Sequence, residues 1–244
     1  HRAELVELLV DRIRQVVLAV DEGLISTAIQ NRLKDGPELT LDDATKIIGC
    51  YKALTKADLA TDLEFDQKPM RRALAFCQSI AKSQIIEAEF AQVVEEYTAN
   101  EKIGDVRNLN VEIEHVDGSF NANQRETLLN WLKADAGENP CRILTNAKVL
   151  SEGVDVPALD AIMFMHPRKS QIDVVQSVGR VMRRAEGKKL GYVILPVAIP
   201  PDTKPEDALN DNERYKVVWQ ILNALRAHDE RLDARINQAK IGED

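Results

Sequence analysis

Apolar positions along this chain fall into short runs separated by longer amphipathic stretches. Residues 3–20 are apolar-periodic and end in Val16-Val17-Leu18-Ala19-Val20; periodicity alone fits a helix end or a buried strand, and the stop at Asp21-Glu22-Gly23 favours a short strand. Residues 24–34 predict a helix closed by Asp35-Gly36-Pro37. Thr40 with Asp43 three residues on forms a capping box for a helix running through Lys46, Ile47, Ile48 and Tyr51. Residues 56–68 are polar and predict a loop.

After Pro69 the pattern alternates. Strands are predicted at 72–77, 111–116, 142–146, 161–165 and 192–195, and helices at 79–97, 123–134 and about 171–184. Leu128, Leu129 and Leu132 share one side of the second of these helices, and Ser170 with Asp173 can cap the third. Strands alternating with helices imply right-handed crossovers and a mostly parallel sheet covered on both faces, an α/β fold. Residues 198–205 hold Pro200, Pro201 and Pro205 and predict a linker. The helix predicted over 206–238 carries Tyr215, Val218, Trp219, Leu222 and Leu225 on one stripe, which can pack on the domain itself or couple to another one. The chain therefore divides into three segments: 1–68, an N-terminal strand and helical elaboration; 69–199, the α/β core; and 200–244, a linker and coupling helix.

Composition narrows the function. The chain has 244 residues, is 44% hydrophobic and can bury a core. Its net charge of −8 argues against a free-standing non-specific DNA binder, because attraction to phosphates dominates such binding. Aromatics are only 5%, too few for a surface that works mainly by stacking bases. Basic residues concentrate locally at Arg168, Lys169, Arg180, Arg183, Arg184, Lys188 and Lys189, a run that can equally be a solvated face. Cys50, Cys77 and Cys141 are far apart and form no CxxC pair, and the histidines lack metal-ligand spacing, so no metal site is expected. The cysteine usage fits a reducing, cytoplasmic setting, and no apolar run has the length of a membrane span. The chain opens His1-Arg2 without Met and is expected to be a piece of a longer protein.

The chemistry lies between Ile143 and Arg184. A strand leads into Ser151-Glu152-Gly153-Val154-Asp155-Val156-Pro157, and ligands of open parallel sheets bind at the carboxyl ends of strands. Gly153 permits close backbone approach, and Asp155 can hold a hydroxyl or orient an arginine; a plain tight turn is the other reading. In Gln176-Ser177-Val178-Gly179-Arg180-Val181-Met182-Arg183-Arg184, Arg180 and Arg183 share a helix face. Two always-charged guanidinium forks suit the charge developing on a transferring phosphoryl group, although helical arginine pairs are often only surface.

Taken together, these two stretches closely resemble motifs V and VI of superfamily 2 helicases. Residues 74–79 sit where that family's motif IV belongs, and His115-Val116-Asp117-Gly118-Ser119 followed by Gln124-Arg125 resembles its next landmark. The wording is most similar to the translocase of type I and single-polypeptide type ISP restriction–modification enzymes. The resemblance covers residues 72–195 and implies a RecA-like second motor domain. It assigns Arg180 and Arg183 as catalytic arginine fingers. Gly153, Asp155 and Gln176 would contact nucleotide, and Ser79, Asp117, Gly118, Ser119, Thr145 and Asn146 would face the tracked strand. It further implies ATP with Mg²⁺, held mainly by a first motor domain outside this chain, with DNA and nuclease or methyltransferase domains as partners. Glu152 and Ser177 stand where the DEAD-box group has arginines, which favours a DNA translocase over an RNA helicase. No G-x-x-x-x-G-K-[ST] loop occurs, so the chain alone is expected to be inactive. A repair or RNA helicase, or a non-catalytic interaction module using Tyr215, Trp219 and Leu222, are the alternatives.

Overall fold

The apolar runs assemble into one seven-stranded sheet in the order β1-β2-β7-β6-β3-β5-β4. The computed structural model describes residues 5–10, 13–21, 25, 29–31, 33, 39–56, 66, 68–100, 109–135, 137, 140–147, 156, 159–166, 185, 188 and 190–199. Its strands are β1 (Leu5–Val10), β2 (Ile13–Asp21), β3 (Arg72–Phe76), β4 (Asn110–Val116), β5 (Pro140–Asn146), β6 (Ala161–Phe164) and β7 (Gly191–Ile199). Its helices are α1 (Leu41–Thr55), α2 (Ile80–Asn100) and α3 (Ala122–Lys133). Every pairing is parallel except β1 with β2.

The chain leaves β3 through α2 to β4, two places along the sheet, and returns through α3 to β5. Because the direction reverses, right-handed crossovers must put α2 and α3 on opposite faces. Burial agrees. Ala73, Ala75, Cys141, Ile143, Met163, Tyr192 and Ile194 pack with Ile47, Ile48, Tyr51, Phe90 and Val93 of α1 and α2 in one core. On the other face, Arg142 of β5 donates from Nη1 to Trp131 O of α3 at 2.6 Å, and Phe76 stacks on Phe164 with ring centres 5.4 Å apart. Strands buried on both faces read as continuous apolar runs rather than alternations.

Local signals set the ends of the helices. At the start of α1, Thr40 Oγ1 accepts from Asp43 N at 3.1 Å, and the Asp43 carboxylate accepts from Thr40 N at 3.1 Å. Lys56 closes α1 in the left-handed conformation, φ 56°. That conformation costs a non-glycine residue about 1 kcal/mol or more. Offsetting bonds hold it: Lys56 Nζ pairs with Asp66 at 2.9 Å and lies 4.6 Å from the centre of the Tyr192 ring. Ser79 caps α2, its Oγ accepting from Lys82 N at 3.2 Å, and Asn121 with Gln124 forms a capping box on α3.

The structure extends or corrects several sequence expectations. The one strand expected near residue 20 is the second of two, because Leu5–Val10 pairs back on Ile13–Leu18. The strand expected to end at 195 runs on through Pro196 to Ile199, so Ala198 and Ile199 belong to the sheet and not to a linker. Pro196 is tolerated because β7 pairs with β6 only as far as Ile194; beyond that its paired neighbour is β2. Residues 29–31 and 33 are helical, within the helix expected at 24–34. The helices expected at 171–184 and 206–238, the Ser170–Asp173 cap and most of the loop at 56–68 lie outside the described residues.

Candidate functional site

In a parallel sheet each helix begins where the strand before it ends, so the carboxyl edge gathers strand ends, helix starts and loops. At that edge stand the β3–α2 turn with Ser79, the Asp117-Gly118-Ser119 loop after β4, Thr145 and Asn146 at the end of β5, and His166 after β6.

A continuous hydrogen-bonded network joins most of the candidates described. His115 and Asp117, two residues apart at a strand end, project to the same side. His115 Nε2 lies 2.9 Å from Asp117 Oδ2, and His115 Nδ1 lies 2.8 Å from Ser83 Oγ on α2. With the ring proton on Nε2, the imidazole donates to the carboxylate and accepts from the serine hydroxyl. The other carboxylate oxygen of Asp117 accepts from Ser119 N at 2.7 Å and Ser119 Oγ at 2.6 Å, closing an Asx-type turn. These bonds, from Ser119 first and then His115, hold the Asp117 carboxyl down at about 2. Arg125 clamps the same loop from α3, donating from Nε to Phe120 O at 2.8 Å and from Nη2 to Gly118 O at 3.3 Å. Thr145 Oγ1 lies within donating distance of Ser83 O, at 3.2 Å, and Glu114 O, at 3.3 Å. Ser83 N in turn donates to Ser79 O at 3.0 Å.

Exposure separates these residues into two roles. Ser79, Gly118 and Ser119 are exposed. Asp117 is 3% exposed, and Thr145 and Asn146 are fully buried, so their side chains point into the domain. Asn146 Nδ2 donates to Ala75 O at 3.2 Å, and its backbone carbonyl accepts from Cys77 N at 2.9 Å, tying β5 to β3 and to the turn beyond it. Ser83 is also buried, so its Ser–His–Asp alignment with His115 and Asp117 is a brace with no access for a substrate.

A second cluster centres on Asp43. Its carboxylate accepts from Thr40 Oγ1 at 2.7 Å and from Lys82 Nζ at 2.7 Å, and it lies 3.3 Å from His166 Nε2. Burial alone would raise this carboxyl; the bonds from His166, Lys82 and Thr40 outweigh it and hold it well below the carboxylate range. Beside the first network, a cleft of about 400 Å³ is lined by Glu87, Glu114, His115, Phe120, Gln124, Thr127 and Leu128. Burial raises the Glu87 carboxyl there, and the charge of Glu114 adds to the rise.

The nucleotide-facing candidates Gly153, Asp155, Gln176, Arg180 and Arg183 lie outside the described residues. Sequence reasoning missed Ser83, Lys82 and the second role of Asp43. The spacing of His115 and Asp117 was the one local signal available, since residues i and i+2 share a strand face. Among the described residues no group of His, Cys, Asp and Glu could hold a metal ion, and no helix is long and apolar enough to cross a membrane.

Comparison with known proteins supplies the family. Residues 55–185 match the helicase conserved C-terminal domain. The chain is 30% identical over 89 residues to the probable helicase A859L of African swine fever virus (isolate Tick/South Africa/Pretoriuskop Pr4/1996), covering 36% of this chain and 10% of that protein. It is 34% identical over 53 residues to putative helicase 22 of Sulfolobus islandicus filamentous virus, covering 22% of this chain and 10% of that protein. Among solved structures, the ATP-dependent Type ISP restriction-modification enzyme LlaBIII bound to DNA is 38% identical with a TM-score of 0.80, covering 96% of this chain and 15% of that one. A nuclease-deletion mutant of the Type ISP enzyme LlaGI with a DNA substrate mimic is 32% identical with a TM-score of 0.51, covering 80% of this chain and 11% of that one. The chain thus spans a small part of each relative. Its RecA-like sheet and the match over residues 55–185 lead to one conclusion: this chain belongs to the helicase conserved C-terminal domain family of superfamily 2 and is similar in structure to Type ISP restriction–modification enzymes.

Proposed function

We propose that this chain is the second motor domain of an ATP-dependent DNA translocase within a restriction–modification enzyme. The observation that carries this reading is the likeness to LlaBIII, at 38% identity across 96% of the chain. ATP is the substrate of the whole motor, and the sequence lacks a phosphate-binding loop. We therefore assign the triphosphate and its Mg²⁺ mainly to a first motor domain outside this chain. Arg180 and Arg183 of this domain reach the γ-phosphate and balance its developing charge. Gly153, Asp155 and Gln176 line the same cleft. Ser79, Gly118 and Ser119 stand on exposed loops that face the DNA backbone; the Ser79 hydroxyl can donate to a phosphate without reading sequence, while the Ser119 N–H and O–H are held by Asp117 and shape the loop. Asp117, Thr145 and Asn146 serve that surface from beneath, by holding its loops. Nuclease and methyltransferase domains of the same polypeptide are the proposed neighbours, and the cytoplasm the proposed setting.

The test is Arg183→Ala in the full-length enzyme. Removing an arginine finger costs about three to five powers of ten in turnover. ATP hydrolysis should fall on that scale while DNA affinity stays within about threefold, since phosphate contacts elsewhere carry binding. Unchanged turnover would remove the assignment.

A further inference from the structure

Asp43 does more than a helix cap requires. A capping box needs only Thr40 and the residue three positions on. Here the Asp43 carboxylate also takes Lys82 Nζ at 2.7 Å, from the first turn of α2, and faces His166 Nε2 at 3.3 Å, just past the end of β6. Its side chain is 2% exposed, and a buried charge persists only when paired and hydrogen-bonded. Lys82 and His166 lie inside residues 55–185, the stretch that matches the helicase family, whereas Asp43 lies before it. A segment outside the common domain thus supplies the carboxylate that ties two loops of the carboxyl edge together. The two fastened points border different parts of the chain. Lys82 is three residues after the exposed Ser79, and His166 is the last described residue before the chain continues toward Arg180 and Arg183.

We propose that Asp43 is a positioning residue of the motor: through Lys82 and His166 it holds the β3–α2 turn and the exit of β6 in a fixed mutual geometry. The activity part of this proposal rests on the motor reading above; the structural part does not. Asp43→Asn keeps a carbonyl oxygen for the Thr40 cap but removes the charge that Lys82 and His166 share. Thr40→Ala does the reverse, deleting the cap hydroxyl and leaving the carboxylate.

In the full-length enzyme, Asp43→Asn should lower kcat for DNA-stimulated ATP hydrolysis by about ten- to a hundredfold, the scale of a small misplacement remote from the chemistry. The KM for ATP and the affinity for DNA should stay within about twofold, because binding groups are untouched. Amide exchange should quicken at residues 79–83 and 165–166 by about tenfold or more, and stay unchanged along β7 at 191–195. Thr40→Ala should leave kcat and these exchange rates within about twofold, its loss confined to a cap worth about 1 kcal/mol. The proposal is overturned if Asp43→Asn leaves kcat and exchange unchanged, or if Thr40→Ala reproduces both losses, since Asp43 would then be only a cap. Should Asp43→Asn fail to fold, Lys82→Met, which leaves the cap intact, carries the same prediction. If Arg183→Ala proves harmless, the motor reading falls, and the exchange difference between Asp43→Asn and Thr40→Ala alone decides for Asp43.

Discussion

The two edges of the sheet both hold hydrogen-bonded aspartates, and they treat them in opposite ways. At the amino edge, Asp160 sits just before β6 and takes Arg71 N at 2.8 Å and Arg72 N at 3.0 Å on one oxygen. Burial raises its carboxyl, and those two backbone bonds offset this only in part. Lys188, nearby, is pushed down to about 8, again by burial first, with Asp160 opposing. At the carboxyl edge, Asp43 collects side-chain donors from Thr40, Lys82 and His166, Asp117 takes its neighbours His115 and Ser119, and both carboxyls are held low. The difference lies in the donors: two backbone amides for Asp160, side-chain donors as well for the other two. Backbone amides at the amino edge align the starts of β3, β6 and β7, which is a fastening task; Tyr192 N, for instance, donates to Asp160 O at 2.8 Å. Side-chain donors at the other edge keep anions charged beneath exposed loops, and so hold the surface proposed to meet DNA.

The largest effect should come from emptying the centre of the carboxyl-edge network. His115→Ala strands Ser83 Oγ and one oxygen of Asp117 in a buried site, costing about 3 kcal/mol in urea unfolding. It should also weaken DNA binding, since the Gly118-Ser119 loop loses its anchor. A loss of stability with DNA affinity untouched would separate that loop from the DNA surface. At the opposite edge, Asp160→Ala leaves two backbone N–H groups without an acceptor and should cost about 2 kcal/mol. Asp160→Asn supplies a neutral oxygen at the same place and should cost less than about 1 kcal/mol. Neither should alter DNA affinity; if Asp160→Asn were as damaging as Asp160→Ala, its charge would matter and the contrast between the edges would fail. A further effect is in pH. A carboxyl lowered from 3.8 to about 2 contributes stability that is complete above the unfolded value and is lost as pH falls toward 2. Unfolding between about pH 4 and 2 should therefore be less steep in Asp117→Asn than in the parent. Asp160 acts with the opposite sign, because its raised carboxyl binds a proton more readily in the folded state.

Local signals made much of the fold legible. The Thr40–Asp43 box, the breaker at Pro69 and the apolar runs of β3, β5 and β6 each fall within a few residues of one another, so a pattern in sequence is already a pattern in space. β1 was hidden for a related reason: Leu5–Val10 returns on Ile13 across Asp11-Arg12, which carries none of the glycine or asparagine chemistry that marks a two-residue hairpin. The motifs on the carboxyl edge could be read from resemblance, but the roles of their side chains could not. The resemblance implies that Thr145 and Asn146 face the tracked strand; parallel packing on both faces buries their side chains. Ser83 reaches His115, and Asp43 reaches Lys82 and His166, only through crossovers that bring remote segments together, and no spacing in the chain announces that.

The measurement that most directly tests the working edge is photo-crosslinking to DNA. A photoreactive residue is placed at Ser119, after β4, or at Asp135, after the end of α3 at the opposite edge, both exposed positions. In the full-length enzyme on duplex DNA, the Ser119 probe should crosslink to the backbone and the Asp135 probe should not. Crosslinks from Asp135 with none from Ser119 would contradict the account.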